Sequence, residues 1–182
     1  MPTTRPAAFL DRDGVINRAN VRDGRPYPPA SVEDLNVLLG VPEALATLRA
    51  AGLAIVVVTN QPDVARGTVG RERVEAINAR LCEILPIDEI RVCWHDDADD
   101  CACRKPKPGL IVETARERGL DLSRSVMVGD RWKDIAAGRQ AGVRTVLVDY
   151  RYAEVAPSSA PAPDLVVGSL LEAVPWILDM LR

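Results

Sequence analysis

The sequence predicts an α/β protein, a doubly wound parallel sheet with helices on both faces. Three observations predict it. Short β-branched runs alternate with longer stretches of helical periodicity, the pattern of successive βαβ units. The run Ile55, Val56, Val57, Val58 is apolar without alternation, as expected of a strand covered on both faces. Three helical stretches stop at a glycine: Gly52, Gly119 and Gly142.

In chain order, Ala7–Leu10 is a short strand ending at the first acidic cluster, and 12–40 is a long loop. Residues 41–51 have helical spacing through Leu45 and Leu48, and 53–58 is the buried strand. Residues 71–85 form a helix with Val74, Ile77, Leu81 and Ile84 on one face. Glu89–Cys93 is a weaker strand, followed by a second long loop, 94–108. Then come a helix at 110–118, a strand at 125–128, a helix at 134–141 and a strand at Arg144–Val148. The Pro/Ala/Ser segment 154–163 is a loop too short for an interdomain linker. An edge strand at 164–167 and a helix over 170–181 close the pattern. No repeat is visible, and 182 residues are expected to form one domain, 1–182.

The chain is 47% hydrophobic and 27% charged with a net charge of −3, an ordinary globular composition. That balance gives no reason to expect a nucleic-acid or membrane partner. The N-terminal stretch has no apolar h-region, and no run approaches the roughly 18 to 20 apolar residues of a membrane span. A cytoplasmic monomer is the default expectation. Of the four cysteines, Cys93, Cys101 and Cys103 crowd around the single histidine, His95, which favours a metal over disulfides.

Four motifs carry chemistry. Asp11-Arg12-Asp13-Gly14 directly follows the first strand, where sites of open α/β sheets lie. Two carboxylates there suit hard Mg²⁺, and one can attack phosphorus while the other moves a proton. Taken alone, the same string reads equally well as a solvated acidic turn. Thr59-Asn60-Gln61 ends the most hydrophobic strand, and its hydroxyl and nearby N–H groups can hold a phosphoryl oxygen; alone, it is a polar strand cap. Arg104-Lys105-Pro106-Lys107 precedes a helix, and a lysine can offset charge as a P–O bond breaks. Gly129-Asp130-Arg131-Trp132-Lys133-Asp134 again follows a strand; Asp130 completes the candidate metal site, and Asp134 either anchors it or caps a helix.

In this order on strand ends, the four motifs resemble those of the haloacid dehalogenase-like phosphatases, over residues 8 to about 148. The resemblance implies a Rossmann-like sheet, Mg²⁺ and a covalent aspartyl-phosphate. It makes Asp11 the nucleophile and Asp13 the acid/base, with Thr59 and Lys105 on the phosphoryl group. It implies Mg²⁺ held by Asp11, by Asp13 through its backbone carbonyl, and by Asp130.

Cys93, His95, Cys101 and Cys103 form C-x-H-x5-C-x-C, four good ligands for a tetrahedral Zn²⁺ with no position left for water. We therefore read a structural zinc that pins the loop carrying Arg104 and Lys105. The strings FLDRDGVIN, VVVTNQ, ARG, CACRKPKPG and VGDRWKD resemble the branch of heptose-bisphosphate phosphatases and histidinol-phosphate phosphatase domains. That resemblance implies a minimal cap, a small sugar bisphosphate as substrate, and substrate contacts by Asn60, Gln61, Arg66 and Arg104. The chain departs from that branch at Pro62-Asp63, in the shorter zinc loop, at 18–29 and at Arg131. These departures lie where substrate is chosen, so another phosphate ester stays open as the alternative. A zinc-stabilised binding module without turnover has no need of the second carboxylate, Asp13.

Overall fold

The computed structural model describes residues 4–182. Six parallel strands form one sheet in the order β5-β4-β1-β6-β7-β8: β5 (Glu89–Cys93), β4 (Ala54–Asn60), β1 (Ala7–Leu10), β6 (Val126–Gly129), β7 (Arg144–Val148) and β8 (Leu165–Val167). The chain runs outward from β1 through β4 to β5, then crosses back to β6 on the other side of β1. That reversal opens a crevice at the carboxyl ends of β1 and β6.

Alternate residues of each central strand feed two cores, because successive side chains point to opposite faces. Leu10, Ile55, Val57 and Val128 pack with α1 (Val41–Ala50), α3 (Arg71–Ile84) and α6 (Leu170–Met180) through Leu45, Leu48, Ile77, Leu81 and Ile177. Phe9, Val56, Val58 and Met127 pack with α4 (Gly109–Arg118) and α5 (Trp132–Ala141) through Ile111, Ala115 and Ala137. The expected doubly wound α/β architecture is therefore what the chain adopts. Among the described residues, no helix is long and apolar enough to cross a membrane.

Three features depart from the sequence reading. The loop 12–40 contains an antiparallel hairpin, β2 (Asn20–Arg22) and β3 (Arg25–Tyr27), turned by Asp23 and Gly24 at φ 50° and 70°. Three-residue strands carry too few positions for a period, but Asp-Gly is a hairpin signal that was there to read. A one-turn helix, α2 (Pro62–Ala65), follows Gln61. Helix α5 starts at Trp132 rather than 134, because the Asp134 carboxylate accepts the Arg131 N–H at 3.0 Å and closes the first turn around it.

Candidate active site

The neighbours β4, β1 and β6 end side by side, which brings Thr59, Asp11 and Asp130 together although they are up to 119 positions apart (130 minus 11). Lys105 arrives from the loop before α4 and is 4% exposed. Its ammonium donates to Asp11 Oδ1 at 2.7 Å and to the Val58 carbonyl at 2.8 Å, and lies 2.6 Å from Asp134 Oδ1. Burial alone would pull the Lys105 ammonium down; the charges of Asp11 and Asp134 outweigh it and hold it above its ordinary range. Burial likewise raises Asp11 to about 6, opposed by Lys105.

Asp130 is buried with the rest of the group, 5% exposed. Among the described residues, both its carboxylate oxygens are buried with no partner at full hydrogen-bonding distance, the Tyr152 hydroxyl being the one donor that favours its charged form. Burial first, then the charge of Asp11, pushes its carboxyl well above the carboxylate range. Such a group is costly unless a cation completes it. Asp11, Asp130 and Asp134 each place one oxygen within 4.8 Å of the others, a hard donor set suited to Mg²⁺. Gly14 is needed above them: its φ is +96°, and a Cβ there would sit 2.0 Å from Asp130 Oδ2.

Asp13 lines the same cavity as Asp11 and is held by neutral and cationic donors rather than by Lys105. Its carboxylate accepts from Arg12 Nη2 at 2.9 Å, Asn17 Nδ2 at 2.9 Å and Gln61 Nε2 at 3.0 Å. Arg12 is itself fully buried and donates to Asn78 on α3 at 2.8 Å. Gln61 Nε2 also donates to the Thr59 hydroxyl at 3.0 Å, so one amide positions two neighbouring groups. Asn60 is engaged too: it accepts the Lys105 N–H at 3.1 Å and donates to the Lys105 carbonyl at 3.0 Å. Both amides line the site cavity, and both are spent on holding the residues around them.

That cavity, about 360 Å³, has Asp11, Asp13, Thr59 and Lys105 in its lining and Arg66 and Arg104 in its wall. It is of the size that takes a small ligand. Sequence reasoning missed three parts of it. Tyr27 of the hairpin lines it, within the 18–29 segment already marked as divergent. Asp97 and Lys133 line it as well, the latter within the VGDRWKD string.

Cys93, at the buried end of β5, gathers His95, Cys101 and Cys103. The sulfurs lie 3.1 to 3.6 Å apart, and His95 Nδ1 is 3.3 Å from Cys103 Sγ and 3.8 Å from Cys93 Sγ. Zn–S bonds of about 2.3 Å in a tetrahedron give S···S near 3.8 Å, so these four donors fit that ion after a small expansion. Burial and the two neighbouring thiols push the Cys103 thiol far above its ordinary range, a charge conflict that a dication removes. The same loop sends Asp96 to Arg66, at 2.9 and 2.6 Å, and Asp97 to Arg104 at 2.8 Å. Arg66 holds the Asp96 carboxyl down at about 2.

Carboxylates, an ammonium and a hydroxyl at the carboxyl ends of β1, β4 and β6 define a phosphoric monoester hydrolase of the haloacid dehalogenase-like class. The family model described as "HAD-hyrolase-like" matches residues 102–173. The Mesorhizobium japonicum protein named D-glycero-beta-D-manno-heptose-1,7-bisphosphate 7-phosphatase is 37% identical, over 95% of this chain and 84% of its own. The Helicobacter pylori (strain J99) protein of the same name is 34% identical, over 97% and 99%. The crystal structure of D,D-heptose 1,7-bisphosphate phosphatase from B. bronchiseptica, complexed with magnesium and phosphate, superposes with a TM-score of 0.80 at 31% identity, covering 96% of this chain and 98% of that one. The chain belongs to this D-glycero-D-manno-heptose-1,7-bisphosphate 7-phosphatase family.

Proposed function

We propose that this protein removes the 7-phosphate of D-glycero-β-D-manno-heptose 1,7-bisphosphate, through an aspartyl-phosphate on Asp11 and with Mg²⁺. The observation that carries the chemistry is Lys105 bridging Asp11 and Asp134 beside the buried carboxylate of Asp130. The substrate is supported by the names of the relatives that match nearly the whole chain.

In the first step an Asp11 oxygen attacks phosphorus and the bond to the sugar oxygen breaks. Asp13 gives its proton to that leaving oxygen. In the second step water attacks the phosphorus of the aspartyl-phosphate, Asp13 takes the proton, and phosphate leaves with Asp11 restored. Asn17 and Gln61 keep Asp13 aimed at the oxygen that must be protonated. Lys105 and the Thr59 hydroxyl hold the phosphoryl oxygens as negative charge builds. Held by Asp11, Asp130 and the Asp13 backbone carbonyl, Mg²⁺ would neutralise phosphoryl charge. Zinc at Cys93, His95, Cys101 and Cys103 would keep the loop of Arg104 and Lys105 in place. On this reading the chain works as a single catalytic domain, a monomer in the cytoplasm; size-exclusion chromatography and cell fractionation test that part.

The main test is phosphate release with Mg²⁺ from both anomers of the heptose bisphosphate, histidinol phosphate and common hexose phosphates. Preference for a heptose bisphosphate supports the reading. Preference for histidinol phosphate or a hexose phosphate keeps the chemistry and overturns the substrate.

Two further outcomes are expected. Cys101→Ala should lose zinc, melt at lower temperature and release phosphate more slowly; full zinc content with an unchanged melting temperature contradicts the structural role. Magnesium should stabilise the protein more at pH 7.5 than at pH 5. Asp11 sits at about 6 in the fold, above its unfolded 3.8. Its stabilising contribution is complete below 3.8 and is lost as pH rises through about 6, where the carboxylate ionises among its neighbours. A cation at those carboxylates restores what ionisation removes. Melting curves with Mg²⁺ or EDTA across that range check this, and a shift independent of pH would refute it.

A further inference from the structure

Five cations line the cavity: Arg66, Arg104, Lys105, Arg131 and Lys133. Four are already committed to carboxylates. Lys105 is held by Asp11 and Asp134, Arg66 by Asp96, Arg104 by Asp97, and Arg131 by Glu154 through a two-pronged pair, 2.6 Å at Nε. Lys133, in the first turn of α5, is the exception. Among the described residues no carboxylate lies within 4.0 Å of its ammonium, whose recorded neighbour is the Trp132 ring, 5.8 Å away. The wall around it needs that charge. Arg66 and Arg104 stand there against three carboxylates, Asp63, Asp96 and Asp97. Without Lys133 that wall repels an anion. Lys133 lines the same cavity as Asp97 and Arg104.

We infer that Lys133 binds the second phosphate of the sugar bisphosphate and is a determinant of bisphosphate over monophosphate specificity. The inference rests on the substrate class proposed above. One phosphate is taken by Asp11 and Lys105 at the floor, so the other must find positive charge on the cavity wall. A phosphate monoester carries close to two negative charges at neutral pH. A guanidinium shared with a carboxylate offers it directed N–H bonds but little net attraction, because the carboxylate repels. An unpaired ammonium on a flexible four-carbon stem supplies that attraction without breaking an existing pair.

The test compares wild type, Lys133→Gln and Lys133→Arg on the heptose 1,7-bisphosphate and on heptose 7-phosphate, which lacks the second group. Lys133 is partly exposed and, among the described residues, pairs with no carboxylate, so both variants should keep the wild-type melting temperature and zinc content. Lys133→Gln should raise KM for the bisphosphate roughly 10- to 100-fold, the worth of a charged hydrogen bond, while kcat stays within about twofold. KM for the monophosphate should not move, and Lys133→Arg should recover most of the loss. A bisphosphate preference that Lys133→Gln retains, or an equal change on both substrates, overturns the assignment of Lys133 alone. A wild-type enzyme with no preference for the bisphosphate overturns the substrate reading, and this inference with it.

Discussion

Asp11→Asn is expected to abolish phosphate release while leaving the fold intact. The amide cannot take up phosphorus and then be freed by water, so kcat should fall by at least about 10⁴-fold. Stability should survive because Lys105 does not depend on Asp11 alone. Its ammonium keeps Asp134 at 2.6 Å and the Val58 carbonyl at 2.8 Å. The substitution also removes a negative charge beside Asp130, whose two oxygens have no partner at full hydrogen-bonding distance among the described residues. In EDTA the variant should therefore melt at or above the wild-type temperature. Retained turnover in a folded Asp11→Asn protein rules out Asp11 as the nucleophile. A collapse in melting temperature contradicts the account of how Lys105 is held.

Lys105→Met should do the opposite to stability. It removes the cation that two buried carboxylates share, while Asp130 adds a third nearby. Breaking a buried pair from one side costs about 3 to 5 kcal/mol, since the charge left behind cannot be solvated. Activity should fall by about 10³-fold or more, because the ammonium faces the group that gathers charge as the P–O bond breaks. The pH dependence separates this from a simple packing defect. The Lys105 ammonium titrates above its ordinary range and stays charged throughout a pH 5 to 8 series. The Asp11 carboxyl, at about 6, protonates within that window. The stability gap between wild type and Lys105→Met should thus be widest at pH 8 and narrow toward pH 5, and Mg²⁺ should narrow it at pH 8. A gap constant with pH and indifferent to Mg²⁺ would mean that the loss is one of packing volume.

Much of this was readable along the chain. The strands showed as β-branched runs, and the carboxyl end of a strand is where an open sheet exposes backbone and side chains to a ligand. Asp11, Thr59 and Asp130 could be placed there by position alone, and all three meet in the structure. The cysteines and His95 were legible for another reason: thiolates and imidazole within one short loop have little use other than a soft-metal site. The hairpin at 20–27 was not legible as strands, because its register depends on a two-residue turn rather than on periodicity.

Which residues face one another was decided only in three dimensions. The sequence by itself determined the α/β layering and the four-motif order, and it singled out two clusters of candidate metal donors, since each is a matter of local residue type and spacing. Only the tertiary structure decided that Asn60 is spent on the Lys105 backbone, that Gln61 serves both Asp13 and Thr59, and that, among the described residues, no carboxylate lies within 4.0 Å of the Lys133 ammonium. The physical reason is the range of the interactions. Lys105 and Asp11 are 94 positions apart, and their pairing follows from how the loop before α4 meets the carboxyl end of β1, which no local periodicity encodes.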